Sequence, residues 1–206
     1  MMEISGFYFI TDSSLSKKGA VDDAKAAVAG GAKVVQYRDK EKGLIAFLSE
    51  ACRIRDLCGK KSVLFIVNDE VGAAMLTGAD GVHLGQDDMP AETARRILGK
   101  DKVIGVTVHS VEEAERAVKD GANYLGVSPI FSTMTKKDAG PPAGLDLLRK
   151  VRKSTSIPIV AIGGIKEENA SAVIDAGADA ISAISATVAQ NDVESKVAIF
   201  AKKFKR

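Results

Sequence analysis

A three-residue phrase returns four times along the chain, as Gly31-Ala32-Lys33, Gly78-Ala79-Asp80, Gly121-Ala122-Asn123 and Gly177-Ala178-Asp179. Each copy closes a stretch with helical spacing of apolar residues and precedes a short apolar, often β-branched run. Glycine just past a helix is the favoured left-handed cap, so the phrase predicts a helix-to-strand connection four times over. Filling in the intervals predicts strands near Phe7–Thr11, Val34–Arg38, Val63–Asn68, Gly81–Leu84, Val103–Thr107, Tyr124–Ser128, Pro158–Gly163 and Ala180–Ser185. Between them lie amphipathic stretches; Leu44, Phe47, Leu48, Ala51, Ile54 and Leu57 share one face of the second.

The strands are nearly continuous apolar runs, as in a parallel sheet covered on both faces. Eight such units in 206 residues predict an α/β chain, a single-domain (β/α)₈ TIM barrel spanning residues 1–206. A doubly wound open sheet is the rival, but no Gly-x-Gly-x-x-Gly follows the first strand. The balance of 29 basic and 27 acidic side chains, net +2, argues against bulk capture of nucleic acid. Cys52 and Cys58 offer no disulfide framework, which fits a reducing, cytoplasmic setting. No signal peptide is expected from the first residues, and no apolar run approaches the roughly 20 residues of a membrane span.

In such a barrel the chemistry lies at the C-terminal strand ends. Strand periodicity puts Gln36, Arg38 and Lys40 on one side of the second strand, alternating with Tyr37 and Asp39. Two cations at a barrel mouth are costly without a partner; an anionic ligand would remove the difficulty, as would an early strand end that leaves them in water. The third strand ends in Asn68-Asp69, and Asp88 follows the fourth. The two carboxylates together suit Mg²⁺, a hard ion held by few carboxylates with water or phosphate; alternatively each caps the next helix. Thr107 ends the fifth strand, with His109 beyond it. Ser128-Pro-Ile-Phe-Ser-Thr-Met-Thr-Lys136 is a hydroxyl-rich loop ending in a cation, suited to phosphate. Gly163-Gly164 after the seventh strand and Ser185 after the eighth match a backbone-built phosphate site, although a glycine pair also makes a tight turn. Two anion sites on one mouth predict two phosphorylated substrates and transfer between them.

The pieces Tyr8-Phe-Ile-Thr-Asp12, Gln36-Tyr-Arg-Asp-Lys40, Asn68-Asp69, Ala79-Asp-Gly-Val-His-Leu-Gly-Gln-Asp-Asp88, Gly105-Val-Thr-Val-His-Ser110, Thr133-Met-Thr-Lys136 and Ala161-Ile-Gly-Gly-Ile165 resemble, in this order and spacing, the thiamine-phosphate synthase family. The resemblance covers essentially the whole chain. It implies a Mg²⁺-dependent alkyl transfer in which hydroxymethylpyrimidine pyrophosphate ionises to a pyrimidine carbocation and the nitrogen of thiazole phosphate captures it. By position, Asp69 and Asp88 would hold Mg²⁺; Arg38, Lys40, Asn68 and Lys136 would bind pyrophosphate; Gln36 would orient the pyrimidine; Thr107 would donate to the leaving group. Thr133, Thr135, Gly164 and Ser185 would hold the thiazole phosphate. Thr107 stands where the family often has serine, Ser128 and Ser132 where it has glycine and proline, and Ala180 where it has glycine. The nearest rival is a thiazole tautomerase on the same barrel, using His109 for proton transfer. A homodimer is the expectation for a barrel with pairing outer helices.

Overall fold

All four glycines of the repeated phrase take positive φ: 96° at Gly31, 67° at Gly78, 92° at Gly121 and 109° at Gly177. The alanine after each is buried. The third residue then ties its strand to the one before. Asp80 Oδ2 accepts the Phe65 N–H, Asn123 Oδ1 accepts the Ile104 N–H, and Asp179 Oδ2 accepts the Ile159 N–H, each at 2.8 Å. The Lys33 side chain has no acceptor to offer there, and its backbone makes the ties instead: its N–H donates to the Phe7 carbonyl at 3.0 Å and its carbonyl accepts the Leu64 N–H at 3.1 Å. The phrase is therefore a cap and a strand clamp in one.

The computed structural model describes residues 4–133, 135 and 140–204. Its elements alternate from β1 (Gly6–Ile10) and α1 (Ala20–Ala29) through β2 (Val34–Tyr37), α2 (Leu44–Gly59), β3 (Leu64–Asn68), α3 (Val71–Thr77), β4 (Gly81–Leu84) and α4 (Ala91–Leu98). They continue with β5 (Val103–Val108), α5 (Val111–Lys119), β6 (Tyr124–Val127), α6 (Gly144–Ser154), β7 (Ile159–Ile162), α7 (Ala170–Asp175) and β8 (Ala180–Ser182), then α8 (Ile184–Thr187) and α9 (Val193–Lys202). The strands pair in sequence order, all parallel, and β8 closes on β1 through Gly6↔Ala180 and Phe7↔Ile181. The fold is a (β/α)₈ TIM barrel.

Strand alternation divides the core into two layers. Tyr8, Ile10, Val34, Leu64, Ile66, Tyr124, Val160 and Ala180 fill the barrel interior. Phe7, Phe9, Val35, Phe65, Leu125 and Ile181 point outward into the larger layer beneath the helices. Where an inward residue is large, its neighbour is small: a Cβ on Gly105 would lie 2.0 Å from Tyr124 Cζ.

Two expectations need correction. The eighth strand stops at Ser182, not Ser185: Ala183 leaves the sheet, and Ser185 lies in α8, where the Thr187 hydroxyl donates back to the Ala183 carbonyl at 2.8 Å. Ala180-Ile-Ser-Ala-Ile-Ser alternates equally well on both sides of that break. In α2 the buried stripe is Phe47, Ala51, Ile54 and Cys58, whereas Leu44, one turn short of it, is 62% exposed. Cys52 and Cys58 are free thiols on this helix. No helix among the described residues is long and apolar enough to cross a membrane.

Candidate active site

A cavity of about 300 Å³ opens at the C-terminal ends of the strands. Gln36, Arg38, Lys40, Asn68, Asp69, Asp88, Thr107, Thr133, Thr135, Gly164 and Ser185 all line it. Every described residue given a role in the synthase reading is thus brought to one site. Lys136 lies outside the described residues.

β2 ends at Tyr37, yet the alternation carries on through the next residues. Gln36, Arg38 and Lys40 face the cavity, while the Tyr37 hydroxyl donates outward to Glu50 Oε2 at 2.8 Å. These cations do not require an anionic ligand for burial, because each has a carboxylate. Arg38 Nη1 meets Asp12 Oδ2 at 2.8 Å, and Lys40 Nζ meets Asp69 Oδ2 at 2.5 Å. Asp12, part of the Tyr8–Asp12 piece but given no role from the sequence, lies two residues past β1. It is buried and also accepts from the Ser14 and Leu15 N–H groups, so it holds Arg38 from a rigid turn.

Asp69 and Asp88 are not helix caps. Neither α3 nor α4 has a side-chain cap; Glu70 and Pro90 occupy those positions. Asp69 sits at φ 63°, a left-handed conformation rare outside glycine. Its N–H donates to the His83 carbonyl at 2.8 Å, which fixes the turn. That backbone costs roughly 1–2 kcal/mol for an L-residue and brings the carboxyl against Asp88. Asp88 Oδ2 accepts the Gly85 N–H at 2.7 Å. Desolvation, then the adjoining Asp69 carboxyl, raises the Asp88 pKa above the ordinary carboxylate value. Around these cations stand four carboxylates, Asp12, Asp69, Asp87 and Asp88, against Arg38 and Lys40 among the described residues. Two adjoining carboxylates, hard oxygen donors with a surplus of negative charge, fit a divalent cation such as Mg²⁺.

The opposite rim is built from backbone. Gly163 and Gly164 have φ 97° and 63°, and Cβ atoms there would come within 2.7 Å of Pro129 and 2.6 Å of the Ser132 carbonyl. The Ile130 and Phe131 N–H groups donate to the Ile162 and Gly163 carbonyls. The glycine pair therefore bends the chain closely against the hydroxyl-rich loop, and both line the cavity with Ser185. Ile162, Ile165 and Ile184 line this part of the cavity.

Beneath the mouth lies a polar chain the sequence did not announce. Gln36 Nε2 bonds the Tyr8 hydroxyl at 2.8 Å, Tyr8 bonds the Tyr124 hydroxyl at 2.7 Å, Tyr124 bonds His83 Nδ1 at 2.9 Å, and His83 Nε2 bonds Thr107 Oγ1 at 2.8 Å. Period-two counting from Ile10 and Gly126 places both tyrosines inward and is the signal that would have found them. Ser182 was also missed: it lines the cavity, and its buried hydroxyl has no partner among the described residues. His109 is not among the lining residues, and its ring Nδ1 bonds the Ser128 carbonyl at 2.6 Å.

With this geometry in hand, comparison with known proteins is direct. Residues 7–187 match the family model described as thiamine monophosphate synthase. The chain is similar to the thiamine-phosphate synthase of Methanosarcina mazei, 50% identical over 94% of this chain and 80% of that protein. It is 53% identical to that of Chloroflexus aurantiacus, over 90% of this chain and 86% of the other. Among solved structures, thiamine phosphate pyrophosphorylase from Pyrococcus furiosus superposes with a TM-score of 0.90 at 39% identity, covering 97% of this chain and 95% of that one.

Proposed function

The chain belongs to the thiamine monophosphate synthase family and is a transferase, and from that premise we propose that its barrel mouth joins hydroxymethylpyrimidine pyrophosphate to thiazole phosphate in a Mg²⁺-dependent, dissociative reaction. The observation that carries this reading is the uncapped carboxylate pair Asp69–Asp88 beside Lys40, facing a backbone-built rim across one cavity. One pole suits a pyrophosphate with its metal and the other a monophosphate.

Asp69 and Asp88 would hold Mg²⁺, which when bound supplies positive charge to the pyrophosphate oxygens. Arg38, Lys40 and Asn68, with Lys136, bind the same group and stabilise the charge that accumulates as the C–O bond breaks; removing one such donor typically costs 10²–10³ in rate. The bonding electrons leave with pyrophosphate. Gln36 orients the pyrimidine, and Thr107 donates its hydroxyl proton in a hydrogen bond to the departing oxygen. Thr133, Thr135, Gly164 and Ser185 hold the thiazole phosphate so that the ring nitrogen lone pair forms the new C–N bond. That nitrogen carries no proton, so no general base is needed, and the work is positioning and exclusion of water from the cation. The isoleucines of the cavity supply the dry wall. The rival isomerase reading would use His109, which is not among the lining residues and bonds the Ser128 carbonyl.

The test is formation of thiamine phosphate from the two purified substrates, separated by chromatography, with Mg²⁺ and with EDTA. Product with Mg²⁺ and none with EDTA is expected. Product in EDTA would remove the metal from the reading; none in either, from folded protein, would remove the reaction.

A further inference from the structure

The chain from Gln36 to Thr107 joins side chains of five different strands, β2, β1, β6, β4 and β5. Both of its ends line the cavity, and its middle members, Tyr8 and Tyr124, are fully buried in the barrel interior. Counting protons gives it a direction. Gln36 Nε2–H donates to the Tyr8 oxygen. Either tyrosine hydroxyl can be the donor in the next bond, but Tyr8 has one proton and Tyr124 as its other partner among the described residues, so leaving no buried proton without an acceptor makes Tyr8 the donor. The Tyr124 proton then goes to His83 Nδ1. A neutral imidazole that accepts at Nδ1 carries its hydrogen on Nε2, and that hydrogen is donated to Thr107 Oγ1. The threonine oxygen is thereby occupied as an acceptor, and its own proton is left for the cavity. At the other end Gln36 lines the cavity, and its amide nitrogen is taken up by Tyr8, which leaves the carbonyl as the group it offers a ligand.

We infer that Tyr8, Tyr124 and His83 are positioning residues, a one-way hydrogen-bond chain that holds His83 in its Nε2–H form and so keeps Thr107 a donor, tied to the same Gln36 amide that meets the pyrimidine. The inference rests on the proposed reaction in two respects, that Thr107 meets the leaving pyrophosphate and that Gln36 meets the pyrimidine. The barrel is shaped around the chain. A Cβ on Gly105 would lie 2.0 Å from Tyr124 Cζ, and one on Gly126 would lie 3.0 Å from His83 Cε1. Burial raises the pKa of both phenols far above the ordinary tyrosine value, so both keep their protons and the direction does not reverse by ionisation. Hydrogen bonds in such a series polarise one another; a substrate that draws on the Gln36 carbonyl strengthens the donor at Thr107.

The chain has two histidines, so a tag-free His109→Gln variant leaves His83 as the sole imidazole for ¹⁵N NMR. The expected spectrum shows protonated Nε2 and bare Nδ1. Tyr124→Phe is expected to lower kcat roughly tenfold or more, the scale of a weakened transition-state donor, with both KM values within about threefold. In a Thr107→Val background the same change is expected to cost nothing further, because its effect passes through Thr107. His83→Gln, which keeps an N–H toward Thr107, is expected to retain more kcat than His83→Leu. A protonated Nδ1 in the parent, or an equal Tyr124→Phe penalty with and without the Thr107 hydroxyl, would overturn the inference. Should the parent form no thiamine phosphate, the reaction falls, and the NMR result alone still decides the direction of the chain.

Discussion

Ser182 is the residue whose position most sharply separates stability from function. Its hydroxyl is buried, faces the substrate cavity and has no hydrogen-bond partner among the described residues. Leaving such a group unsatisfied costs about 1–3 kcal/mol, while a hydrogen bond regained on binding is worth about 1 kcal/mol net. Ser182→Ala is therefore expected to leave the thermal midpoint unchanged or raise it, and to raise KM for one of the two substrates roughly fivefold. A lowered midpoint with both KM values unmoved would mean that the hydroxyl serves the fold. Nothing in Ile181-Ser182-Ala183 announces this role, since a serine in an apolar strand reads as filler. Asp69 and Asp88 were legible for the opposite reason: each is a carboxylate at or just beyond a predicted strand end, where such a barrel keeps its chemistry. A cap and a ligand demand the same residue at the same place, so only the fold separates them. The partner of a charge is equally invisible: Asp12 is 26 residues from Arg38.

The loop between β2 and α2 shows how an element carries a site residue. Asp39 accepts the Glu41 and Lys42 N–H groups, each at 3.0 Å. Lys42 Nζ joins Asp39 at 3.0 Å to Glu50 at 2.8 Å, and Glu50 also accepts from Tyr37. Lys40 sits in the middle of this lattice, which fixes the loop to α2. Burial alone would raise the Asp39 pKa, but the loop N–H groups and Lys42 outweigh it and hold the carboxyl below its ordinary value. Burial likewise opposes the charge on Lys42, yet Glu50 and Asp39 outweigh it and raise that pKa. A depressed carboxyl stabilises above its unfolded pKa, about 3.9, and the gain is lost as pH falls through the lower folded value; a raised lysine stabilises below about 10.4, and the gain is lost as pH rises through the higher folded value. The loop is thus expected to stay tied between roughly pH 4 and pH 10. Glu50→Gln removes the charge that Lys42 leans on. It should raise KM for the pyrophosphate substrate severalfold while lowering the thermal midpoint by only a few degrees, as about 1 kcal/mol does in a chain of this size. Amide exchange at residues 39–43 is the direct check, and protection equal to the parent would show the loop held by other means. From the sequence, Lys40 was readable as a site residue by period two; the lattice was not, because it depends on α2 returning Glu50 to the loop.

At the scale of the molecule, the order of units was legible because the barrel is built from local statements repeated: a glycine cap, a buried alanine, a strand. Each is decided within a few residues, so neighbouring pieces do not contradict one another. What was not legible is the division of labour between the two layers, which depends on which strand lies beside which. The inner layer holds the polar chain and the cavity floor; the outer layer is apolar and joins sheet to helices. The seam where β8 meets β1 shows the consequence. There α9 packs over β1, and Phe200 stacks on Phe7 with centroids 5.3 Å apart and planes 19° apart. Both rings are buried, and neither lines the substrate cavity. Removing a buried aromatic to alanine costs about 3–5 kcal/mol through lost burial and the cavity left behind. Phe200→Ala is expected to lower the unfolding midpoint by about 10 °C or more, yet to leave kcat and both KM values within twofold when assayed below the new midpoint. Tyr124→Phe, one layer inward, breaks two buried hydrogen bonds at about 1–3 kcal/mol each, and is expected, unlike Phe200→Ala, to lower kcat roughly tenfold or more in protein that is fully folded. If Phe200→Ala impaired turnover while fully folded, the outer layer would be shaping the mouth through the β8–β1 seam, and the two layers could no longer be treated as separate in function.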